Sequence, residues 1–193
     1  LADLPGGRLH ETIPGFHDTR LRFKAFLKAV DQDPQNRAAA VKPEIDFVLR
    51  HEGEIGLVLD GLASGDIPER ITHNDTKLNN VMFDLVTGQG ICVIDLDTVM
   101  PGSALYDFGD SVRLGAATAA EDERALEKVG FDPGLFDRLA AGYLDSAGGF
   151  LVKAEMELLA FSARLLTFEC GLRFLTDHLE GDTYFRIHRP GHN

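Results

Sequence analysis

Tryptophan is absent from these 193 residues, tyrosine occurs three times and cysteine twice. A cage for a quaternary amine needs several electron-rich rings around one cation, so three scattered tyrosines argue against one in this chain. Cys92 and Cys170 form no CxxC pair, which removes the usual signal for a zinc site or a disulfide framework. Reduced thiols in the cytoplasm are the expectation. Positive charge is also short, with 19 Lys and Arg against 31 Asp and Glu and a net charge of −12. Nucleic acids and acidic membranes are held by Lys and Arg clusters, so neither is expected as a partner. An anionic ligand must therefore be met by a local group or a metal. No 18-residue apolar run and no charged-then-apolar leader occurs, so neither a membrane span nor a signal peptide is expected.

What is present suffices for one substantial core, since 44% of the residues are apolar. Residues 1–16 (LADLPGGRLHETIPGF) read as a loop or linker because of their prolines and glycines. Asp18 or Thr19 can cap a helix in which Leu21, Phe23, Phe26, Leu27 and Val30 recur at helical spacing to about Gln32. Pro43 suits the first turn of a second helix to about Arg50, and a third short one fits Glu54 to Ala63 with Gly65 as its stop. The pattern then changes to short apolar runs at Ile71–His73, Val81–Phe83 and Ile91–Ile94. The last two look buried and are joined by a turn-rich connector, so 81–94 reads as a β-hairpin. Beyond Pro101-Gly102 helices return at about 106–116, 122–129, 134–146 and 151–179, the last ended by Gly181.

The polar run THNDTK, followed by LNN, sits at the mouth of that hairpin. The residues before its first strand and after its second lie at one end, so Asn80 and Asp95 are expected to be neighbours, with Asp75 and Lys77 beside them. A carboxylate, an amide oxygen and a second carboxylate suit Mg2+ better than Zn2+, because Mg2+ takes hard oxygen ligands and keeps waters or phosphates. Asp97 points to the same side if the chain stays extended past Asp95. A nearby carboxylate can take a proton from a hydroxyl and a lysine can neutralise a transferring phosphoryl group. The chemistry assembled is phosphoryl transfer to an alcohol.

HNDTKLNN followed by VIDLDTVMPGSALYDFGD resembles the catalytic core of the aminoglycoside phosphotransferase and choline kinase-like superfamily, relatives of the protein kinases. The resemblance implies that Asp75 is the catalytic base and that Asn80 and Asp95 hold Mg2+ and with it ATP. Lys77 stands where many protein kinases place a phosphate-contacting lysine. His73 then anchors the loop, and Asp107 in YDFGD is the buried acid that supports it. Asn74 departs from the usual Gly, a change that Asn tolerates because it adopts unusual backbone angles. More narrowly, HETIPGFHDT, THNDTKLNN, IDLDTVMPG and RFLTDHLEGDTYF look like N-acetylhexosamine 1-kinases. In that subfamily residues matching Asp97, Arg173 and Tyr184 bind the sugar.

The implied fold is α+β, mainly α: a protein-kinase-like C-terminal lobe spanning residues 1–193 with a small central β-hairpin. No glycine-rich phosphate loop and no V-A-I-K-like lysine is found, so the N-terminal ATP-clamping lobe is expected outside this chain, and the fragment alone is expected to be inactive. Relatives also continue past the equivalent of Gly191-His192-Asn193. An aminoglycoside or choline-type kinase and a catalytically inactive ligand-binding or dimerising module stand as alternatives. Plainer readings apply elsewhere. Glu169, Arg173 and Asp177 at i, i+4 and i+8 would also make a solvated salt-bridged helix face. His51-Glu52 lacks the second His of a zinc-protease helix, Ser103 lacks the flanks of a nucleophile elbow, and neither cysteine sits in a sulfatase Cys-x-Pro-x-Arg segment.

Overall fold

The computed structural model describes residues 8–189. The first residues of the 1–16 loop and Gly191-His192-Asn193, on which expectations were placed, lie outside the described residues. The described chain is mainly helical with two small antiparallel sheets, and it divides into two units, 8–17 with 61–166 and 18–60 with 167–189. No helix among the described residues is long and apolar enough to cross a membrane.

The second of these units contains α1 (Thr19–Gln32), α2 (Lys42–Arg50) and most of the turn leading into α3 (Leu57–Ser64). Asp18 caps α1 by accepting the Leu21 N–H at 2.8 Å, and Pro43 stands in the first turn of α2. The buried stripe of α1 is Phe23, Phe26 and Ala29, which cluster with Ile45, Val48, Ile55, Leu172 and Leu179. Leu21 and Leu27, counted with that stripe from the sequence, are exposed. The buried positions are three apart, and at about 100° per residue Leu27 falls beside that stripe while Leu21 falls on the far side of the helix. Residues 52–54 form a separate 3₁₀ turn, so the third helix starts at Leu57, later than its apolar pattern suggests, and Gly65 ends it at φ 82°.

In the other unit β1 (Arg70–Thr72) pairs with β4 (Met100–Gly102), while β2 (Val81–Phe83) and β3 (Gly90–Val93) make the expected hairpin. β4 was not anticipated, because Pro101-Gly102 reads as a breaker. Proline is tolerated there since this strand has one neighbour, and its missing N–H can face away from the ladder. Gly102 is required by contact: a Cβ would fall 2.3 Å from Thr72 Oγ1. The hairpin is not buried as its apolar runs imply. Met82, Phe83, Ile91 and Val93 are each about half exposed or more, and Leu85 at the tip is 100% exposed.

Ser103 caps α4 (Ala104–Gly115), accepting the Leu105 N–H at 3.2 Å, a structural use for a serine that had no nucleophile context. Gly109 lets α4 approach α6 (Lys153–Glu180) closely, since a Cβ there would meet the Ser162 carbonyl at 2.5 Å. The helix expected at 122–129 is instead a loop with one 3₁₀ turn at Leu126–Lys128. Its ends are tied by an Ala117–Phe131 bridge, and Thr118 donates to both Gly130 O and Lys128 O, so the loop closes on itself before α5 (Pro133–Ala147). β1 is anchored by a buried ion pair. Arg70 Nε and Nη2 reach the Glu155 carboxylate at 2.9 and 2.8 Å, and Nη2 also donates to Phe150 O at 2.7 Å.

Candidate active site

The turn after β1 carries the polar run, and its backbone is fixed from below by α4. Asp107, one turn into that helix, accepts the His73 N–H at 3.0 Å on one oxygen and the Asn74 N–H at 2.7 Å on the other. Burial pushes the Asp107 carboxyl above its ordinary range, against the pull of those two donors. Thr76 Oγ1 donates to Asp107 O, and Ser111 Oγ donates to Thr76 O at 3.2 Å. His73 is buried. Its Nδ1 accepts the Asp75 N–H at 3.3 Å, so Nε2 carries the proton and donates to Ile94 O at 3.0 Å. The imidazole therefore joins the loop to the end of β3.

On this platform three side chains meet. Lys77 Nζ lies 2.8 Å from Asp75 Oδ2, and Asn80 Nδ2 donates to the same oxygen at 3.0 Å and to Asp75 O at 2.8 Å. Both donors act on Oδ2, so Oδ1 carries none of these bonds and faces neither donor. Burial works against the Lys77 charge, but the hydrogen bond to Asp75 and the charges of Asp75, Asp95 and Asp110 outweigh it and hold its pKa above the ordinary value. Asn80 O accepts the Ile94 N–H at 2.9 Å, which places Asn80 and the residue before Asp95 across one end of the hairpin, as strand pairing requires.

Asp95 adopts φ 61°, a left-handed conformation uncommon outside glycine, and a 3₁₀ turn, Leu96–Thr98, follows directly. The chain is thus not extended here, and the alternation that would put Asp97 on the same side as Asp95 does not apply. The Asp97 carbonyl accepts from Thr12 Oγ1 at 2.9 Å, and its residue is exposed. Among the described residues no three His, Cys, Asp or Glu side chains group at metal-binding spacing. The donors at the hairpin end are one amide oxygen and one carboxylate, a set that fits a hard cation whose remaining positions go to phosphate and water.

Arg173 and Tyr184 lie in the other unit and contact each other. Arg173 Nη2 donates to Tyr184 Oη at 3.3 Å, and the guanidinium lies 5.6 and 5.2 Å from the Tyr184 and Phe185 ring centres. The solvated ladder through Glu169 and Asp177 is not what forms, because both carboxylates are buried. Glu169 accepts from Thr19 Oγ1 at 2.6 Å and pairs with Arg22 at 3.2 Å. Asp177 accepts the N–H groups of Thr183, Tyr184 and Phe185 at 2.8, 2.7 and 3.0 Å, which fixes the turn that carries the two rings.

Residues 1–148 match the model of the phosphotransferase enzyme family. The chain belongs to that family. As a phosphotransferase of this family it is an ATP-dependent enzyme type acting on small molecules, and such kinases generally use ATP with Mg2+. Three residues that contact the polar turn or the segment after Asp95 carried no role in the sequence reading. Thr12 and His17, in the arm before α1, bond Asp97 O and Asn74 O, and the His17 ring stacks at 4.6 Å on Tyr106. The third is Asn74, noted only as a departure from Gly. Polar residues in a Pro/Gly-rich segment give no signal of what they touch.

Proposed function

We propose that the chain is the C-terminal, catalytic lobe of an ATP- and Mg2+-dependent kinase that phosphorylates the anomeric hydroxyl of an N-acetylhexosamine. The observation that carries the phosphotransfer is the Asp75 carboxylate held through one oxygen by Lys77 and Asn80. Asp75 Oδ1 takes the proton as the acceptor oxygen attacks the terminal phosphorus and ADP leaves. Lys77, whose charge Asp75 favours, lies 2.8 Å from Oδ2 of the same carboxylate and offsets the charge spread over the transferring group. When bound, Mg2+ would be held by Asn80 and Asp95 and would neutralise phosphate oxygens. His73 and Asp107 keep the loop in place.

The sugar reading rests on Arg173, Tyr184 and Asp97. A sugar offers several hydroxyls and a carbonyl at fixed angles, and polar groups left unpaired by a wrong ligand are costly, so few such residues suffice to select it. The lobe that clamps the ATP phosphates is proposed to seat on the exposed apolar hairpin, where Met82, Phe83, Ile91 and Val93 face solvent. Large apolar side chains exposed together on one hairpin mark an interaction surface.

Replacing Asp95 or Asn80 by Ala is expected to raise the Mg2+ concentration for half-maximal turnover, more for Asp95 because a charge is removed. An unchanged Mg2+ titration for both variants moves the metal site elsewhere. The acceptor is tested by ADP release from the full-length enzyme on N-acetylglucosamine, N-acetylgalactosamine, choline and kanamycin. Arg173→Ala is expected to raise the sugar KM roughly 10- to 100-fold and Tyr184→Phe about 2- to 10-fold, the loss of a charged and a neutral hydrogen bond respectively. Turnover of kanamycin alone would support the aminoglycoside reading, which the net charge of −12 favours for a polycation. Unaltered sugar kinetics in both variants would remove Arg173 and Tyr184 from the acceptor site.

A further inference from the structure

Asn74 stands one residue before Asp75, with φ 64° and only 3% of its surface exposed. Its backbone N–H goes to Asp107 Oδ1 and its carbonyl accepts from His17 Nε2 at 3.0 Å. The side chain is fully engaged as well. Nδ2 donates to Thr98 O at 3.0 Å and, more weakly, to Thr72 O at 3.3 Å and Met100 O at 3.4 Å, while Oδ1 accepts from Thr72 Oγ1 at 2.9 Å. Thr98 and Met100 belong to the segment immediately following Asp95. The amide fits because position 102 is glycine: a Cβ there would lie 2.4 Å from Asn74 Oδ1. Asn74 and Gly102 are thus complementary halves of one contact.

We propose that Asn74 is a positioning residue that fastens the turn bearing the base, Asp75, to the segment bearing the metal ligand, Asp95, so that the two are carried as one body. The role assigned to those two residues rests on the phosphotransferase reading, while the fastening itself does not. Glycine would keep the left-handed backbone without strain, since it adopts positive φ freely. It would lack the amide, removing the Nδ2 bond to the Thr98 carbonyl and the weaker one to Met100 O. The two segments would then hold their spacing less tightly, and a misplacement of about 1 Å between reacting groups can cost on the order of 100-fold in rate.

Asn74→Gly separates these effects in two measurements. In the 193-residue chain, amide hydrogen exchange over residues 95–102 is expected to quicken about tenfold or more, while α6 exchanges as in wild type. In the full-length enzyme kcat is expected to fall about 10- to 100-fold with both KM values within about twofold, because Asn74 meets neither substrate. A purely structural role would slow no particular step and would raise exchange throughout. Should the glycine variant fail to fold, Asn74→Asp carries the same tests: it keeps the oxygen that Thr72 meets and tolerates the backbone, but presents an acceptor where Nδ2 donates. Wild-type exchange over 95–102, or kcat within twofold of wild type, overturns the proposal. A wild-type enzyme that phosphorylates no small molecule removes the kinase reading, and the exchange result then stands or falls alone.

Discussion

Asp75→Asn in the full-length enzyme is expected to lower kcat by about 10²- to 10⁴-fold, the usual contribution of a positioned general base, with the ATP KM changed little. The amide has the volume of the carboxylate and can still accept from Lys77 through its one oxygen, so the platform formed by His73 and Asp107 stays in place. What it cannot do is accept the hydroxyl proton in the transition state, and an interaction made only there appears in kcat. With its oxygen in the Oδ2 place the amide also keeps the bond from Asn80 Nδ2, so the Mg2+ requirement should change little. The measurement is steady-state ADP release across ATP and acceptor concentrations, and turnover near wild type would remove Asp75 from the role of base.

Glu155→Ala is expected to destabilise the chain by about 3–5 kcal/mol, the range seen when one partner of a buried ion pair is removed. The carboxylate is fully buried and takes both arms of Arg70, and its Oε2 also accepts the Val152 N–H at 2.9 Å. Cutting it away leaves a guanidinium with 11% of its side chain exposed that has lost its bidentate carboxylate, beside Phe150 O and that residue's ring. The pair as a whole is another matter. Two charges taken out of water are costly, so Arg70→Met with Glu155→Leu should lose far less than either single change. Urea unfolding of wild type, Arg70→Met, Glu155→Leu and the double variant decides this, and a double-variant loss equal to the sum of the two single losses would show that the sites act independently.

Local signals carried much of the architecture. Asp18, Pro43, Gly65 and Gly181 mark helix ends because capping and positive φ are properties of a few neighbouring residues. The hairpin and the Asp75, Lys77, Asn80 spacing were legible for the same reason, being short-range. Pairing between distant segments was not. Nothing local in Pro101 says that Thr72 and Met100 will share a ladder, and Arg70 and Glu155 are 85 positions apart. The residues around 122–129 have helical periodicity, yet tying Thr118 to Gly130 overrode it. Burial of the hairpin was inferred from apolar side chains, but composition does not reveal whether a partner covers them. Asn74 hid its role for a different reason: its partners are main-chain carbonyls, which every sequence possesses. For Asp97, one left-handed residue at Asp95 sufficed to defeat the alternation rule.

The exposure of Tyr184 makes the proposed acceptor site optically addressable. The chain has no tryptophan, so its near-ultraviolet emission comes from three phenols. Tyr106 is buried and Tyr143 is half-buried, its hydroxyl donating to Ala104 O, whereas Tyr184 is 72% exposed beside the Arg173 guanidinium. A dissolved quencher therefore reaches chiefly one fluorophore, without any label or engineered probe. A ligand that covers Arg173 and Tyr184 shields that phenol, and its occupancy can be followed as retained fluorescence in a solution containing neither ATP nor magnesium.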